Sequence, residues 1–198
     1  GLSLLTDALI VLQADAPEGQ VFSKWNDGKA DNPRIVTAAD ASQLFPLFLP
    51  KTGQGAVCVK LPVLAGAGMG AVNVNAAAVT EGESVQLKLV VLPSYSQSSV
   101  KVFANGKELD ATLSLRASSE TKTLFYTLSG LSEDVDVEVS GLKQNEYVVS
   151  LEQQDGGIVR ASQVGMVKHG TIVTLEAAPD RGNMFVKWKD GNTLNPYR

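Results

Sequence analysis

Cysteine and histidine are almost missing from this sequence, which contains one residue of each. A disulfide needs two thiols, a structural zinc site usually takes four ligands from cysteine and histidine, and a serine-histidine-aspartate triad would have to use the single histidine. Neither Cys58 nor His169 lies in a motif that marks a nucleophile or a general base. We therefore expect no catalytic residues, no cofactor and no bound metal, and thus a protein that is not an enzyme.

A surplus of positive charge is also missing. Lys and Arg number 17 against 21 Asp and Glu, which gives a formal net charge of -4. Nucleic acids select basic surfaces, so we expect no nucleic acid partner. The longest uncharged run, Leu61–Thr80, contains Pro62 and several glycines and asparagines, so we expect no membrane span. The sequence opens with Gly1 rather than Met, and we expect it to be a segment of a longer protein.

Alternation of apolar and polar residues is abundant. It is clearest in Val85–Val91, Val135–Val139 and Ile172–Ala177, each of which places its apolar residues on one face. This pattern predicts strands with one buried and one solvated side. Turn residues such as Asn105-Gly106 separate these stretches. We therefore predict an all-β fold.

An internal repeat organises the chain. The segment Phe22–Gly28, followed by Asn32-Pro33, returns as Phe185–Gly191, followed by Asn195-Pro196, with seven identities at a single offset. A matching strand and a proline precede each copy, and the prolines are one position out of register. These strands and prolines are Ile10–Ala14 with Pro17, and Val173–Ala177 with Pro179.

A fainter third copy lies between the other two. Its Glu81-Gly82 and Asn105-Gly106 correspond to His169-Gly170 and Asp190-Gly191, at two nearly equal offsets. Its glycine-rich run before Ala71 corresponds to the pair Gly156-Gly157. We therefore predict tandem small antiparallel β modules, β-sandwich or β-grasp-like, of which one is complete (residues 51–144) and two are partial (residues 1–50 and 145–198).

The C-terminal copy resembles a known family. Its glycine pair, the stretch Gly170–Leu175, Ala178-Pro179, Phe185–Gly191 and Asn195–Tyr197 follow the pattern of the divergent internalin-type B repeat. The N-terminal copy follows the second half of this pattern, with Arg34 where the family prefers an aromatic residue. Residues 1–50 thus resemble the C-terminal part of a B repeat, and residues 145–198 resemble the N-terminal part. The central module lacks the tryptophan and is similar to another repeat common in bacterial surface proteins.

Six side chains in the two copies are candidates for a surface contact. They are Trp25, Asp27, Asn32, Trp188, Asp190 and Asn195. Tryptophan is usually packed in a core. However, Phe22 and Trp25 are three positions apart, so on a regular strand they point to opposite faces, and an exposed ring beside Asp27 and Asn32 could stack on a sugar. Calcium binding is a weaker interpretation, because the spacing matches no calcium loop and Asp and Asn are expected at turns.

Three other patterns are interpreted as structural. The run Gly66–Ala71 imitates a dinucleotide-binding glycine motif, but residues 71–75 alternate as a strand does instead of opening a helix. His169 lies at the entry to a strand, and the acidic run Glu133–Glu138 crosses another strand. We expect both to face solvent.

The resemblance implies extracellular β modules in adhesion or cell-surface display, with no catalytic residues. We therefore predict a non-catalytic structural or adhesive repeat segment of a large secreted or cell-surface bacterial protein, with a protein or a glycan at the cell surface as its partner. The alternative is a carbohydrate-binding module of a secreted glycan-acting protein. Partial modules leave sheet edges unpaired, so we expect them to be poorly ordered, to refold, or to pair with each other or with a neighbouring chain by strand-complementing self-association.

Overall fold

The computed structural model describes residues 8–51, 55–64, 69–117 and 119–198. Strands make up 45% of the chain and helices 4%, which confirms the all-β prediction. The strands are β1 (Leu9–Leu12), β2 (Gln20–Trp25), β3 (Arg34–Thr37), β4 (Pro46–Pro50), β5 (Ala56–Lys60), β6 (Gly70–Val74), β7 (Ala78–Thr80), β8 (Val85–Val91), β9 (Lys101–Ala104), β10 (Lys107–Leu109), β11 (Leu113–Arg116), β12 (Lys122–Leu128), β13 (Val135–Ser140), β14 (Glu146–Val149), β15 (Gly157–Ala161), β16 (Gly165–Lys168) and β17 (Leu175–Pro179). A helix α1 (Ala38–Ala41) and a 3₁₀ turn (Pro93–Tyr95) complete the elements.

The chain divides into two compact units, Gly1–Leu142 and Lys143–Arg198. The first unit contains the N-terminal copy and the central module, and the second contains the C-terminal copy. The division into residues 1–50, 51–144 and 145–198 stays a prediction.

Two sheets form the central module. One has the strand order β10-β9-β13-β5-β7 and the other has the order β11-β12-β8-β6. The apolar residues of β8 alternate as the sequence predicts, and Val85, Leu87, Leu89 and Val91 are each at most 1% exposed. They belong to one apolar cluster with residues of both sheets, so the module is a β-sandwich.

One pair of strands departs from the antiparallel pattern. Strands β5 and β13 run parallel, with Val59 beside Val135. A parallel pair requires a long crossover connection, which here is the intervening part of the sandwich itself. The acidic run is solvated as predicted, because Asp136 and Glu138 alternate with the buried Val135 and Val137 along β13.

Predicted turns and strands mostly agree with the structure. Asn105 and Gly106 have φ values of 47° and 77° and join β9 to β10, as the Asn-Gly pair predicts. The stretch Val85–Val91 is β8. The strand predicted over Ile172–Ala177 begins only at Leu175, because its partner strand β15 ends at Ala161 opposite it. Thr174 still exchanges hydrogen bonds with Ser162, the residue after β15.

A glycine at the start of a strand explains part of the glycine-rich run. Gly66 and Gly68 lie outside the described residues, but Gly70 begins β6, which confirms the predicted strand. A side chain at Gly70 would collide with the carbonyl oxygen of Val90 on β8. Gly157 occupies the corresponding place at the start of β15, where an added Cβ would lie 2.8 Å from the carbonyl oxygen of Ala178. These glycines allow two strands to approach closely.

The central module and the C-terminal unit share an order of strand pairing. In the central module β5 pairs with β7 and β6 pairs with β8. In the C-terminal unit β14 pairs with β16 and β15 pairs with β17. In both places, therefore, the first strand pairs with the third and the second with the fourth, which supports the third copy inferred from the sequence.

The N-terminal copy is joined to the central module through a β-bulge. Strand β2 pairs with β4, and the register shifts between Phe22 and Lys24, so that Ser23 is the extra residue. The Ser23 carbonyl accepts the N–H of Ala77 at 2.7 Å, and its hydroxyl donates to the carbonyl of Ala78 at 2.6 Å. The N-terminal copy is therefore folded and lies against β7, the edge strand of the five-stranded sheet of the central module.

Candidate functional site

The candidate residues of the N-terminal copy form one connected group, which we call the N-terminal clamp. It consists of Ala14, Trp25, Asp27, Asn32 and Arg34. The side-chain oxygen of Asn32 accepts the N–H of Ala14 at 2.9 Å, and its side-chain nitrogen donates to the carbonyl of Ala14 at 2.7 Å. The carboxamide thus pairs with Ala14 as a neighbouring strand would, because it carries the same donor and acceptor as a peptide group.

Trp25 is the centre of this clamp and is 3% exposed. Its indole N–H donates to the carbonyl of Asp31 at 2.8 Å, so the ring is buried with its polar atom satisfied. The expectation that Phe22 and Trp25 point to opposite faces is wrong, because their ring centroids are 5.7 Å apart in an edge-to-face contact. The bulge at Ser23 adds one residue to the strand and brings both rings to the same side.

An ion pair closes the clamp beside Trp25. The guanidinium of Arg34 donates to both carboxylate oxygens of Asp27, at 2.9 and 3.0 Å, and its carbon lies 5.8 Å from the centre of the Trp25 ring. The hydrogen bond from Arg34 is the main reason that the pKa of Asp27 is lowered, while partial burial opposes this shift. Arg34 therefore combines an aromatic contact with a bidentate ion pair.

The C-terminal copy repeats this arrangement at the offset that relates Trp25 to Trp188. We call it the C-terminal clamp: Ala177, Trp188, Asp190, Asn195 and Tyr197. Asn195 accepts the N–H of Ala177 at 2.9 Å and donates to its carbonyl at 2.7 Å. The indole N–H of Trp188 donates to the carbonyl of Leu194 at 2.7 Å. The strand register thus holds as far as Ala14 and Ala177, and the one-position slip lies between these alanines and the following prolines.

Tyr197 takes the place of Arg34 in the C-terminal clamp. Its ring centroid is 6.4 Å from that of Trp188, and its backbone pairs with Leu175. A hydrogen bond between its hydroxyl and the carboxylate of Asp190 is the main cause of a raised pKa for Tyr197. Either residue therefore lies against the tryptophan and interacts with the aspartate.

A comparison with known families finds a match in the C-terminal copy. Residues 147–196 match the divergent InlB B-repeat domain. The match confirms the resemblance to the internalin-type B repeat for this segment, which is about a quarter of the chain. No curated protein and no solved structure matches the chain. This family is typically found in bacterial surface proteins, so the match indicates a cell-surface repeat module.

The two tryptophans differ in how far they are covered. Trp25 is buried and lies opposite Pro46 of β4, whereas Trp188 in the B repeat is half-buried. The segment Met184–Lys189 and the β15–β17 sheet border an open cleft of about 890 Å³. Phe185, Trp188, Ile158 and Pro179 are among the apolar residues that line it.

The other candidate positions show few features of a reactive site. Within the described ranges, no group of three or more His, Cys, Asp or Glu side chains could hold a metal ion. His169 is exposed, with its Nδ1 3.4 Å from the hydroxyl of Tyr147. Burial, and then the charge of Asp134, raises the pKa of the Cys58 thiol, which disfavours its nucleophilic thiolate form. None of the helices in the described part of the chain has the length and apolar character needed to cross a bilayer.

Sequence reasoning found the exchange of Arg34 for Tyr197 but missed the two bridges from asparagine to alanine and the contacts of Arg34 and Tyr197 with the tryptophans. A signal for the bridges was present, because Asn32 and Asn195 are identical at the offset that also relates Ala14 to Ala177. Nothing in the sequence indicates that a side chain, rather than a strand, pairs with each alanine.

Proposed function

We propose that this protein is a non-catalytic structural repeat segment of a secreted or cell-surface bacterial protein, which presents or joins other proteins at the cell surface. One observation carries the proposal. All six candidate side chains make intramolecular contacts, and they make corresponding contacts in both copies. Groups that hold a fold together in two copies are better explained by selection for a stable shape than by ligand binding.

A carbohydrate-binding module is the second candidate. The half-buried Trp188 and Phe185 border an open cleft, and an aromatic ring at a cleft is a common platform for a sugar ring. Trp25 offers no such platform, because it is 3% exposed. A glycan site would therefore be a property of the B repeat alone.

A glycan array with the whole chain separates the two candidates. We expect no glycan signal above background. Saturable binding that is lost in Trp188→Ala but kept in Val148→Ala, with both variants folded by circular dichroism, would establish the carbohydrate-binding function instead. Val148 is a suitable control because it is an exposed apolar residue of the same unit outside the cleft.

The absence of catalysis is tested by direct assay. We expect the chain to release no product from peptidoglycan, from common polysaccharides or from chromogenic ester and glycoside substrates. Turnover that survives purification and disappears in a point variant of this chain would overturn the non-catalytic role.

A further inference from the structure

One segment of the B repeat has a strand-like sequence but no strand partner. We call residues Met184–Lys187 the acceptor segment. Their backbone N–H and carbonyl groups make no hydrogen bond with any described residue, and the segment belongs to no sheet. Met184 is 80% exposed and Val186 is 67% exposed, so apolar side chains accompany this unpaired backbone. Unpaired backbone beside apolar side chains is a template for another strand.

The N-terminal copy shows what covers the corresponding residues. At the offset that relates Trp188 to Trp25, the acceptor segment corresponds to the part of β2 from Val21 to Lys24, and β2 pairs antiparallel with β4. The ring of Phe48 in β4 lies 6.3 Å from that of Phe22, and Pro46 lies opposite Trp25. With this cover Trp25 is buried, whereas Trp188 without it is only half-buried.

The central module provides a second, independent precedent. When Asn105-Gly106 is aligned with Asp190-Gly191, strand β9 corresponds in sequence to residues 186–189, which overlap the acceptor segment. Strand β9 also pairs antiparallel with a later strand, β13, with Val102 beside Val139. In both other copies, therefore, the residues before the turn are paired with a strand that comes later in the copy.

We propose that the acceptor segment binds an extended apolar strand of the β4 type, supplied by polypeptide outside residues 1–198. The strand lies antiparallel to the segment, with an aromatic ring at its centre against Phe185 and a proline opposite Trp188. The strand β4 of this chain is not available for this role, because it is already paired with β2. The inference deepens the proposed structural role, but it rests only on the correspondence between the copies, so a glycan signal would not affect it.

A peptide with the sequence of residues 45–51 is the direct probe. Added to the whole chain, it is expected to bind saturably by fluorescence anisotropy and to slow hydrogen exchange of the amides of residues 184–187 about tenfold or more at saturation. The same peptide with Phe48→Ser is expected to bind about tenfold more weakly or worse, because the ring that covers Phe185 is removed. A peptide N-methylated at Leu47 and Leu49 should not bind, because it loses two of the three N–H groups between its prolines.

Two protein variants locate the binding surface. Phe185→Ser is expected to weaken peptide binding about tenfold or more. Val148→Ser should leave it unchanged, because Val148 is an exposed residue of β14 that does not line the cleft beside the acceptor segment. Since Phe185→Ser could disturb the unit, the peptide variants give the same test with the protein unaltered.

Three results would overturn the proposal. The first is no binding at the highest soluble peptide concentration. The second is protection of amides at other sheet edges but not in residues 184–187. The third is protection of these amides that depends on protein concentration without any peptide, accompanied by dimers in ultracentrifugation, which would make a second copy the occupant.

Discussion

Replacement of Asn32 tests whether a single side chain takes the part of a strand in the N-terminal clamp. In Asn32→Ala the N–H and the carbonyl of Ala14 both lose their partner. Each hydrogen bond contributes about 0.5–1.5 kcal/mol net, so the free energy of unfolding of the first unit should fall by about 1–3 kcal/mol. Asn32→Asp should cost a similar amount, because it keeps the acceptor but places an oxygen opposite the carbonyl of Ala14.

Each compact unit contains one tryptophan, which allows the effect to be assigned to a unit. Urea unfolding followed by the indole N–H signals of Trp25 and Trp188 in two-dimensional NMR reports the first and the second unit separately. With a denaturant slope of about 2 kcal/mol per molar urea, the Trp25 midpoint should fall by about 0.5–1.5 M in Asn32→Ala, while the Trp188 midpoint stays unchanged.

Two comparisons make the result decisive. Asn195→Ala should lower only the Trp188 midpoint, and by less, because Ala177 is more exposed than the buried Ala14 and water can replace the lost partner. Asn73→Ala on β6 is the control, because this side chain makes no hydrogen bond with a described residue. If Asn32→Ala and Asn73→Ala have the same midpoint, the carboxamide does not act as a strand partner.

The remaining predictions concern the ion pair and one glycine. Arg34→Ala should lower the free energy of unfolding of the first unit by about 1–2 kcal/mol, whereas Arg34→Tyr, which imitates the C-terminal clamp, should recover most of this loss in the same urea assay. Because the folded pKa of Asp27 is lowered, its contribution is present above the unfolded pKa and is lost as the pH falls through the folded pKa. Stability below about pH 4 should therefore decline more steeply in the wild type than in Arg34→Ala, and equal slopes would contradict the assignment. Gly70→Ala should destabilise the first unit by about 2 kcal/mol or more, because the added Cβ would collide with the backbone of Val90. Gly106→Ala should cost less, because the space around Gly106 is open. If thermal unfolding shows the reverse order, the close approach of the strands at Gly70 is not what requires glycine there.

The strands and the repeat could be predicted because both are visible as patterns of residue types in the sequence. Period-two alternation located β8 and β13, and a fixed offset related the two tryptophans. The relative orientation of Phe22 and Trp25 could not be predicted, because one extra residue in a strand reverses the facing of every residue beyond it. The start of β17 at Leu175 depends on a partner strand, which no local pattern reveals.

The candidate site shows the same limit. The sequence pattern selected six candidate side chains, but what each of them can contact depends on what surrounds it. Trp25 and Trp188 have almost the same neighbours in sequence, yet only Trp25 is buried, and only Trp25 lies on a strand that is paired with a later strand, β4. Exposure of an aromatic ring is therefore decided by tertiary contacts and not by the repeat.

The parallel pair of β5 and β13 also has a mechanical consequence. One strand opens the central module and the other closes it, and the two lie side by side and point the same way. Tension applied to the chain on both sides of the module pulls these strands in opposite directions along their lengths. The hydrogen bonds between the two strands are then loaded in shear and resist the force together, instead of breaking one after another.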